Sequence, residues 1–201
     1  MSASSPVIVL LAAGEASRFG SLKQLAMIDG EPMVRRAARQ ALACGVPVLV
    51  VLGAGAERVA GALADLPLQT VVHEGWRDGL GSTLAAGVRA VQQAHPHTSG
   101  VLVMLADQPQ LGTALLGHLL DEHARSPGKI IATAQSGGAG PPALFPRSDY
   151  EVLAQARGAQ GAKCWLRQEH ARVLEVDPAP YGADLADIDT PDDLHRTSAA
   201  P

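Results

Sequence analysis

The chain has 201 residues, 47% hydrophobic and 18% charged, with a formal net charge of −4 at pH 7. This is enough apolar chain to bury a sizeable core in one domain, and it excludes intrinsic disorder as the overall state. The acidic balance lacks the basic footprint of a protein that tracks a nucleic acid, whereas a small anionic ligand needs positive charge only locally.

Taken in chain order, the first element is the run VIVLL from Val7 to Leu11. It is short, β-branched and bounded by Pro6 and Gly14, the pattern of a strand buried on both faces. The N-terminus lacks a basic n-region and no apolar run approaches the ~18 residues needed to span a bilayer, so a cytoplasmic protein is expected. Asp29-Gly30 predicts a turn, and Pro32 sits where a helix accepts proline. Apolar Met33, Val34, Ala37, Ala38, Ala41 and Leu42 follow at helical spacing, with Arg35, Arg36 and Arg39 on the opposite, solvated face, and the helix ends near Gly45. The alternation continues as a strand over 46–52, a helix over 56–64, a strand over 69–73, and a helix capped by Ser82 that runs to about Gln93. A strand over 101–105, a helix over 113–124 and a strand over 129–133 complete it. Five strands separated by helices predict an α/β fold of three layers, with helices on both faces of a mainly parallel sheet. Beyond it, QSGGAGPPALFP (135–146) reads as a loop leading into a short strand at 143–145. Short helices over 149–156 and 161–169, a strand over 172–176 and a last helix begun by Thr190-Pro191 follow, a small β-containing elaboration packed on the same sheet. No repeat or linker divides 1–201, which reads as a single domain.

In an open parallel sheet, ligands bind outside the carboxyl ends of the strands. After the first strand come Ala12, Ala13 and Gly14, small residues that let backbone amides approach a ligand, then Arg18, Gly20 and Lys23. The two cations suit a polyphosphate. Asp107 follows the strand at 101–105 almost immediately, poised as a hard oxygen ligand for Mg2+, although an aspartate ahead of Pro109 also forms turns. Near the C-terminus, ADLADIDTPDDL places Asp187 and Asp189 alternately in an extended segment, able to face the same ion. Asp192 and Asp193 fall in the first turn of the last helix, where the dipole favours carboxylates without any function. In EGWRDGLGSTLAAG, Gly79 and Gly81 precede Ser82 at a helix N-terminus that can accept an anion or a base edge.

A competing reading is a dinucleotide site. Gly53 and Gly55 have GxG spacing after a strand, and Glu74 lies about twenty residues on, but the third glycine position is Arg58 and the fingerprint gives no role to Arg18, Lys23 or Asp107. The seven histidines form no ligand spacing and read as solvated. Cys44 and Cys164, without a metal or redox motif, read as reduced, half-buried thiols.

Taken together and in order, LAAGEASRFGSLKQL, EGWRDGLGSTLAAG, MLADQP, GGAGPPALF and DIDTPDDL resemble the MobA-like nucleotidyltransferases, most closely the molybdenum cofactor cytidylyltransferases. The resemblance spans roughly Val7 to Leu194. It implies a Rossmann-like nucleotidyltransferase fold with a nucleotide-binding half at about 1–110 and an acceptor-binding half at about 111–201. It also implies transfer of CMP from CTP to molybdopterin for a molybdenum hydroxylase, with a molybdenum enzyme or its assembly factor as partner. Ala12, Ala13 and Gly14, with Leu11, Gly81 and Ser82, would bind nucleotide. Arg18 and Lys23 would bind the phosphates, and Asp107 with Asp187 and Asp189 would hold Mg2+. The segment Gly140, Pro141 and Pro142 would lie toward the acceptor. LAAG and Gly79-Leu80-Gly81-Ser82-Thr83 are similar to the cytidylyl branch, whereas guanylyl relatives tend to LAGG and a GPLAG-like loop. This chain departs from its relatives at Gly158-Ala159-Gln160-Gly161-Ala162, where they often read GDxGA, and at Gly140-Pro141-Pro142, where asparagine often precedes the proline. Another phosphorylated acceptor, a non-catalytic cofactor carrier and an NAD-binding protein are the alternatives.

Overall fold

β1 (Val7–Ala12) is buried along its whole length because a parallel neighbour flanks it on each side, β4 (Val48–Leu52) and β6 (Gly100–Leu105). The computed structural model describes residues 5–15, 19, 22–190 and 192–194. The turn at Asp29-Gly30 joins a two-residue hairpin, β2 (Met27–Ile28) and β3 (Glu31–Pro32), and both turn residues have positive φ, 51° and 82°, which is why glycine stands second. After α1 (Met33–Leu42) and β4 come α2 (Ala56–Gly61) and β5 (Gln69–Val72), then α3 (Leu80–Ala94), β6 and α4 (Thr113–Arg125). The second half adds β7 (Ile130–Thr133), β8 (Gly140–Pro146), α5 (Tyr150–Leu153), α6 (Lys163–Gln168) and β9 (Val173–Val176). Seven strands form one sheet in the order β5-β4-β1-β6-β8-β7-β9. All neighbouring pairs are parallel except those of β8, which runs antiparallel to β6 and to β7.

Alternation along β1 divides the core in two. Ile8, Leu10 and Ala12 pack with apolar residues of α1, α2 and α4 on one face of the sheet. Val7, Val9 and Leu11 pack with α3, α5 and α6 on the other. Helix α3 lies close to the sheet at Gly87, where a Cβ would stand 2.7 Å from Val9 Cγ1 and 2.9 Å from Val51 Cγ2. A small third cluster joins Ile28 and Met33 to Ile188, tying the C-terminal segment to the start of α1.

Several sequence expectations are corrected. The segment expected as a loop with a strand at 143–145 is a seven-residue interior strand. Its prolines are tolerated because Pro141 and Pro142 fall where the pairing with β7 is irregular, between Ala132 and Thr133, and Pro146 ends the ladder opposite Gly100. Ser82 is not a helix cap: α3 begins at Leu80 behind Gly79, whose φ of 99° favours glycine, and the Ser82 hydroxyl donates back to Gly79 O at 2.8 Å. β4 begins at Val48, not at residue 46, since Pro47 cannot join the ladder as a donor and offers only its carbonyl, to Ile8 N. The helices at 149–156 and 161–169 shorten to α5 and α6. His123 is buried, not solvated, with Nε2 3.2 Å from Ser99 Oγ. Cys44 is half-buried and Cys164 exposed. Arg35, Arg36 and Arg39 do face outward, where they pair with Asp65, Asp29 and Glu31. Residue 191 of the expected last helix lies outside the described residues.

Candidate active site

The carboxyl ends of β1 and β6 open into a cleft of about 990 Å³, near the upper end of the ~300–1,000 Å³ typical of ligand sites. One wall is the chain leaving β1, with Leu11, Ala12, Ala13 and Gly14. Gln24, 2% exposed on a single 3-10 turn, fixes this wall by donating through Nε2 to the carbonyls of Ala12 (3.2 Å) and Gly14 (2.5 Å). The next residue back, Lys23, reaches across the cleft. Its Nζ donates to Asp107 Oδ2 at 2.8 Å, to Asp189 Oδ1 at 2.9 Å and to the Ile188 carbonyl at 3.3 Å.

The C-terminal segment arrives by main-chain bonding along the loop after β6. Asp184 N donates to Gln110 O at 3.0 Å and Ile188 N to Asp107 O at 2.9 Å. Gln108 Nε2 donates to Leu185 O (3.1 Å) and to Asp187 Oδ1 (3.0 Å). Asp193 caps the turn that follows: its Oδ2 accepts from Thr190 N, Thr190 Oγ1 and Asp189 N, a non-catalytic role consistent with its place at a helix start. Asp187 and Asp189 thus reach the same cleft as Asp107, as their alternation predicts.

Three carboxylates face one ammonium here. Burial lowers the Lys23 pKa, but Asp107 and Asp189 outweigh that effect and leave it raised, so the side chain is an ammonium at neutral pH. Asp187 is pushed above the ordinary carboxylate range, first by burial and then by the neighbouring Asp107 charge, against the opposing hydrogen bond from Gln108. Of the six buried side-chain polar atoms without a partner among the described residues, three are acceptor oxygens of cleft residues: Gln24 Oε1, Asp107 Oδ1 and Gln108 Oε1. Buried acceptors that lack donors favour a cation or a donor-bearing ligand. Among the described residues no group of three or more His, Cys, Asp or Glu closes around an ion. The donor set therefore fits a hard cation of the magnesium type, which takes one or two carboxylates and completes its shell with water and substrate phosphate.

Of the remaining expected residues, Pro141 lines the cleft, while Gly140 and Pro142 stand behind it, held through Gln135 Nε2 to Pro141 O (2.6 Å) and Thr133 Oγ1 to Pro142 O (2.8 Å). Gly81 and Ser82 do not line it. The Gly81 amide donates to Gly158 O at 2.8 Å, and a Cβ there would stand 2.5 Å from the Arg157 carbonyl carbon, so this amide is taken by the chain and not free for an anion. Leu80 and Thr83 face the cleft instead. Arg18 lies outside the described residues. The GxG glycines have packing reasons: a Cβ on Gly53 would meet Ala13 O at 2.5 Å, and Gly55, with φ 59°, precedes α2 against Leu22.

Sequence reasoning passed over Gln24, Gln108 and Gln135, and also several other lining residues. Trp76, whose Cβ lies near Ala13 at Gly53, carries the Arg77 guanidinium 4.2 Å from its ring centroid, and Gln160, Lys163 and Arg167 line the cleft from α6 and the turn before it. Lys163 and Arg167 lie at i and i+4 after a glycine-bounded turn, a spacing that could have marked a basic helix face.

The fold is that of the α/β nucleotidyltransferases. A nucleotidyl transferase from Methanothermobacter shares the fold, with a TM-score of 0.80 at 22% identity over 96% of this chain and 95% of that one. The chain belongs to the family of the MobA-like NTP transferase domain, whose model matches residues 8–173. It is similar to nicotine blue oxidoreductase of Paenarthrobacter nicotinovorans, at 34% identity over 199 residues and 94% of each chain. It is also similar to Rv0371c of Mycobacterium tuberculosis H37Rv, at 29% identity and a TM-score of 0.79 over 98% of this chain and 100% of that one. That protein has also been solved in complex with manganese, a structure that matches at 28% identity with a TM-score of 0.77 over 99% of this chain and 100% of that one.

Proposed function

We propose that this protein transfers CMP from CTP to the terminal phosphate of molybdopterin, releasing pyrophosphate, in the maturation of a molybdenum enzyme. The observation that carries the reading is the meeting of Lys23 with Asp107 and Asp189 beside the chain leaving β1. In this reading Leu11 to Gly14 hold the nucleotide, and Arg18 and Lys23 neutralise its phosphates. Ala13 and the loop from Gly79 to Thr83, which are similar to the cytidylyl branch, favour CTP. Gln160, Lys163 and Arg167 offer an anionic acceptor two cations and an amide, with Pro141 beside them. The 1–110 half then serves the nucleotide and the 111–201 half the acceptor, within one cytoplasmic domain.

An oxygen of the acceptor phosphate attacks the α-phosphorus of CTP. The bond from that phosphorus to the bridging oxygen breaks, and pyrophosphate leaves with the electron pair. Because the nucleophile is already an anion, no side chain has to remove a proton, and positioning with charge neutralisation suffices. Mg2+ held by Asp107 with Asp187 or Asp189 would supply the remaining neutralisation of phosphate charge, and the manganese complex of Rv0371c supports divalent metal use.

The test is pyrophosphate release with CTP, GTP, ATP and UTP against molybdopterin. Release with CTP and Mg2+ supports the reading, and preference for GTP overturns the cytidylyl assignment. Release only with a different phosphorylated acceptor overturns molybdopterin, and tight molybdopterin binding without release makes the protein a carrier. A redox function is the second reading, favoured by the 34% identity to a protein named an oxidoreductase. It predicts consumption of a reduced nicotinamide cofactor without any nucleoside triphosphate.

A further inference from the structure

The cleft contains a cation of the chain's own, the Lys23 ammonium, bound by oxygen atoms. Lys23 Nζ sits within 3.3 Å of one oxygen from each of Asp107, Ile188 and Asp189, a donor set of carboxylates and a carbonyl such as a hard divalent ion also takes. The backbone that carries this lysine is fixed. Ala26 N donates to Lys23 O at 2.9 Å, Met33 N donates to Ala26 O at 2.8 Å, and the adjacent Gln24 is bonded to the chain leaving β1. Only the flexible four-carbon stem is free to move the charge. The second oxygen of Asp107 is buried and has no donor among the described residues, so the ammonium satisfies the site only in part. An ammonium and a divalent ion compete for Asp107 Oδ2 and Asp189 Oδ1, because like charges at that separation repel in a partly buried cleft.

We propose that the Lys23 ammonium is a built-in counter-cation that holds the divalent-ion position until the phosphates of a nucleoside triphosphate draw it away, so that metal and nucleotide enter as a pair. This rests on the nucleotidyltransferase reading above and deepens it. Without nucleotide, the carboxylates are neutralised and stray divalent ions are kept out. With nucleotide, the phosphate oxygens offer the lysine a new partner and offer the metal its missing ligands in the same step. The apparent metal affinity of the free protein is lowered by the fraction of molecules in which Lys23 occupies the site.

The test is Mn2+ titration of the full chain, with free Mn2+ followed by electron paramagnetic resonance, with and without a non-hydrolysable CTP analogue. Wild type should bind Mn2+ weakly alone and more tightly with the analogue. Lys23→Met should bind Mn2+ without nucleotide at least about tenfold more tightly than wild type, the gain expected if the lysine holds the site nine times in ten. Lys23→Arg, which keeps the cation, and Arg77→Met, which removes a cleft charge without vacating the site, should both stay near wild type, and melting curves verify that each variant is folded. No gain in folded Lys23→Met, or an equal gain in Arg77→Met or Lys23→Arg, overturns the proposal. If the analogue fails to raise Mn2+ affinity in wild type, the nucleotide-binding reading itself falls, whatever Lys23→Met shows.

Discussion

The backbone amide of Ile188 donates to the carbonyl oxygen of Asp107 at 2.9 Å, and this bond helps to set two carboxylates of the C-terminal segment beside the end of β6. Asp107 is the member that Lys23 holds most closely and whose second oxygen has no partner among the described residues. Asp107→Ala is therefore expected to lower pyrophosphate release by at least roughly 10²–10³-fold, the cost of losing one preorganised electrostatic contact, while thermal melting stays near wild type. A near-normal rate with Mg2+ would show that the metal is held elsewhere.

Gly53 supports the same loop from below. An added Cβ would stand 2.5 Å from Ala13 O, 2.7 Å from Ala13 Cβ and 2.8 Å from Trp76 Cβ, and the first of these is backbone that cannot rotate away. Gly53→Ala should cost about 1–3 kcal/mol of stability by overpacking, read in denaturant unfolding. It should also raise KM for the nucleotide more than it lowers kcat, if the backbone it displaces binds nucleotide as proposed. Unchanged stability would mean that Ala13 and Trp76 have room to yield.

His123 makes the stability of the fold pH-dependent. Burial lowers its pKa below the ordinary 6.5, against a weaker raising contribution from its contact with Ser99, and among the described residues Nδ1 has no acceptor for the N–H that a second proton would create. The unfolded chain thus takes up the proton more readily than the folded one. The contribution to stability is fully present above pH 6.5 and is lost as pH falls through the lowered folded value. Melting temperature should drop on acidification across that window, and His123→Gln should flatten the drop. An equally steep drop in that variant would assign it to other groups.

The cysteines should differ in reactivity. Burial pushes the Cys44 thiol up to about 11, so almost none is thiolate at neutral pH, whereas Cys164 is exposed. Iodoacetamide should label Cys164 in the native protein and reach Cys44 only on unfolding, as read by mass spectrometry of the intact chain. Equal labelling of both in the native state would contradict the packing around Cys44.

The alternation of elements through β7 was legible because buried parallel strands and amphipathic helices leave a period in the residues themselves. Val7 to Leu11 and the stripe Met33, Val34, Ala37, Ala38, Ala41 carry it without help from anything distant. Helix starts were less secure. Ser82 has the chemistry of a cap, yet the helix begins two residues earlier because Gly79 can adopt a φ of 99° and the Gly81 amide finds Gly158 O. At β8 the local signal pointed the wrong way, since three prolines and a glycine read as loop. The strand forms because β6 and β7 lie on either side of it and its prolines sit at the irregular and terminal positions of the ladder.

By itself the sequence determined the α/β layering, the loop after β1 as a small-residue wall, and the acidic pairing of Asp187 with Asp189, since each is a local pattern that depends only on near neighbours. Only the tertiary structure decided that Lys23 stands between Asp107 and Asp189, 84 and 166 residues away in the chain. It also decided that Lys163 and Arg167 line the same cleft and that Gly81 and Ser82 do not. Spacing along a chain records which face of an element is buried. Which strand ends come to share one edge of a sheet is fixed by packing and register summed over the whole fold, and no single segment carries that record.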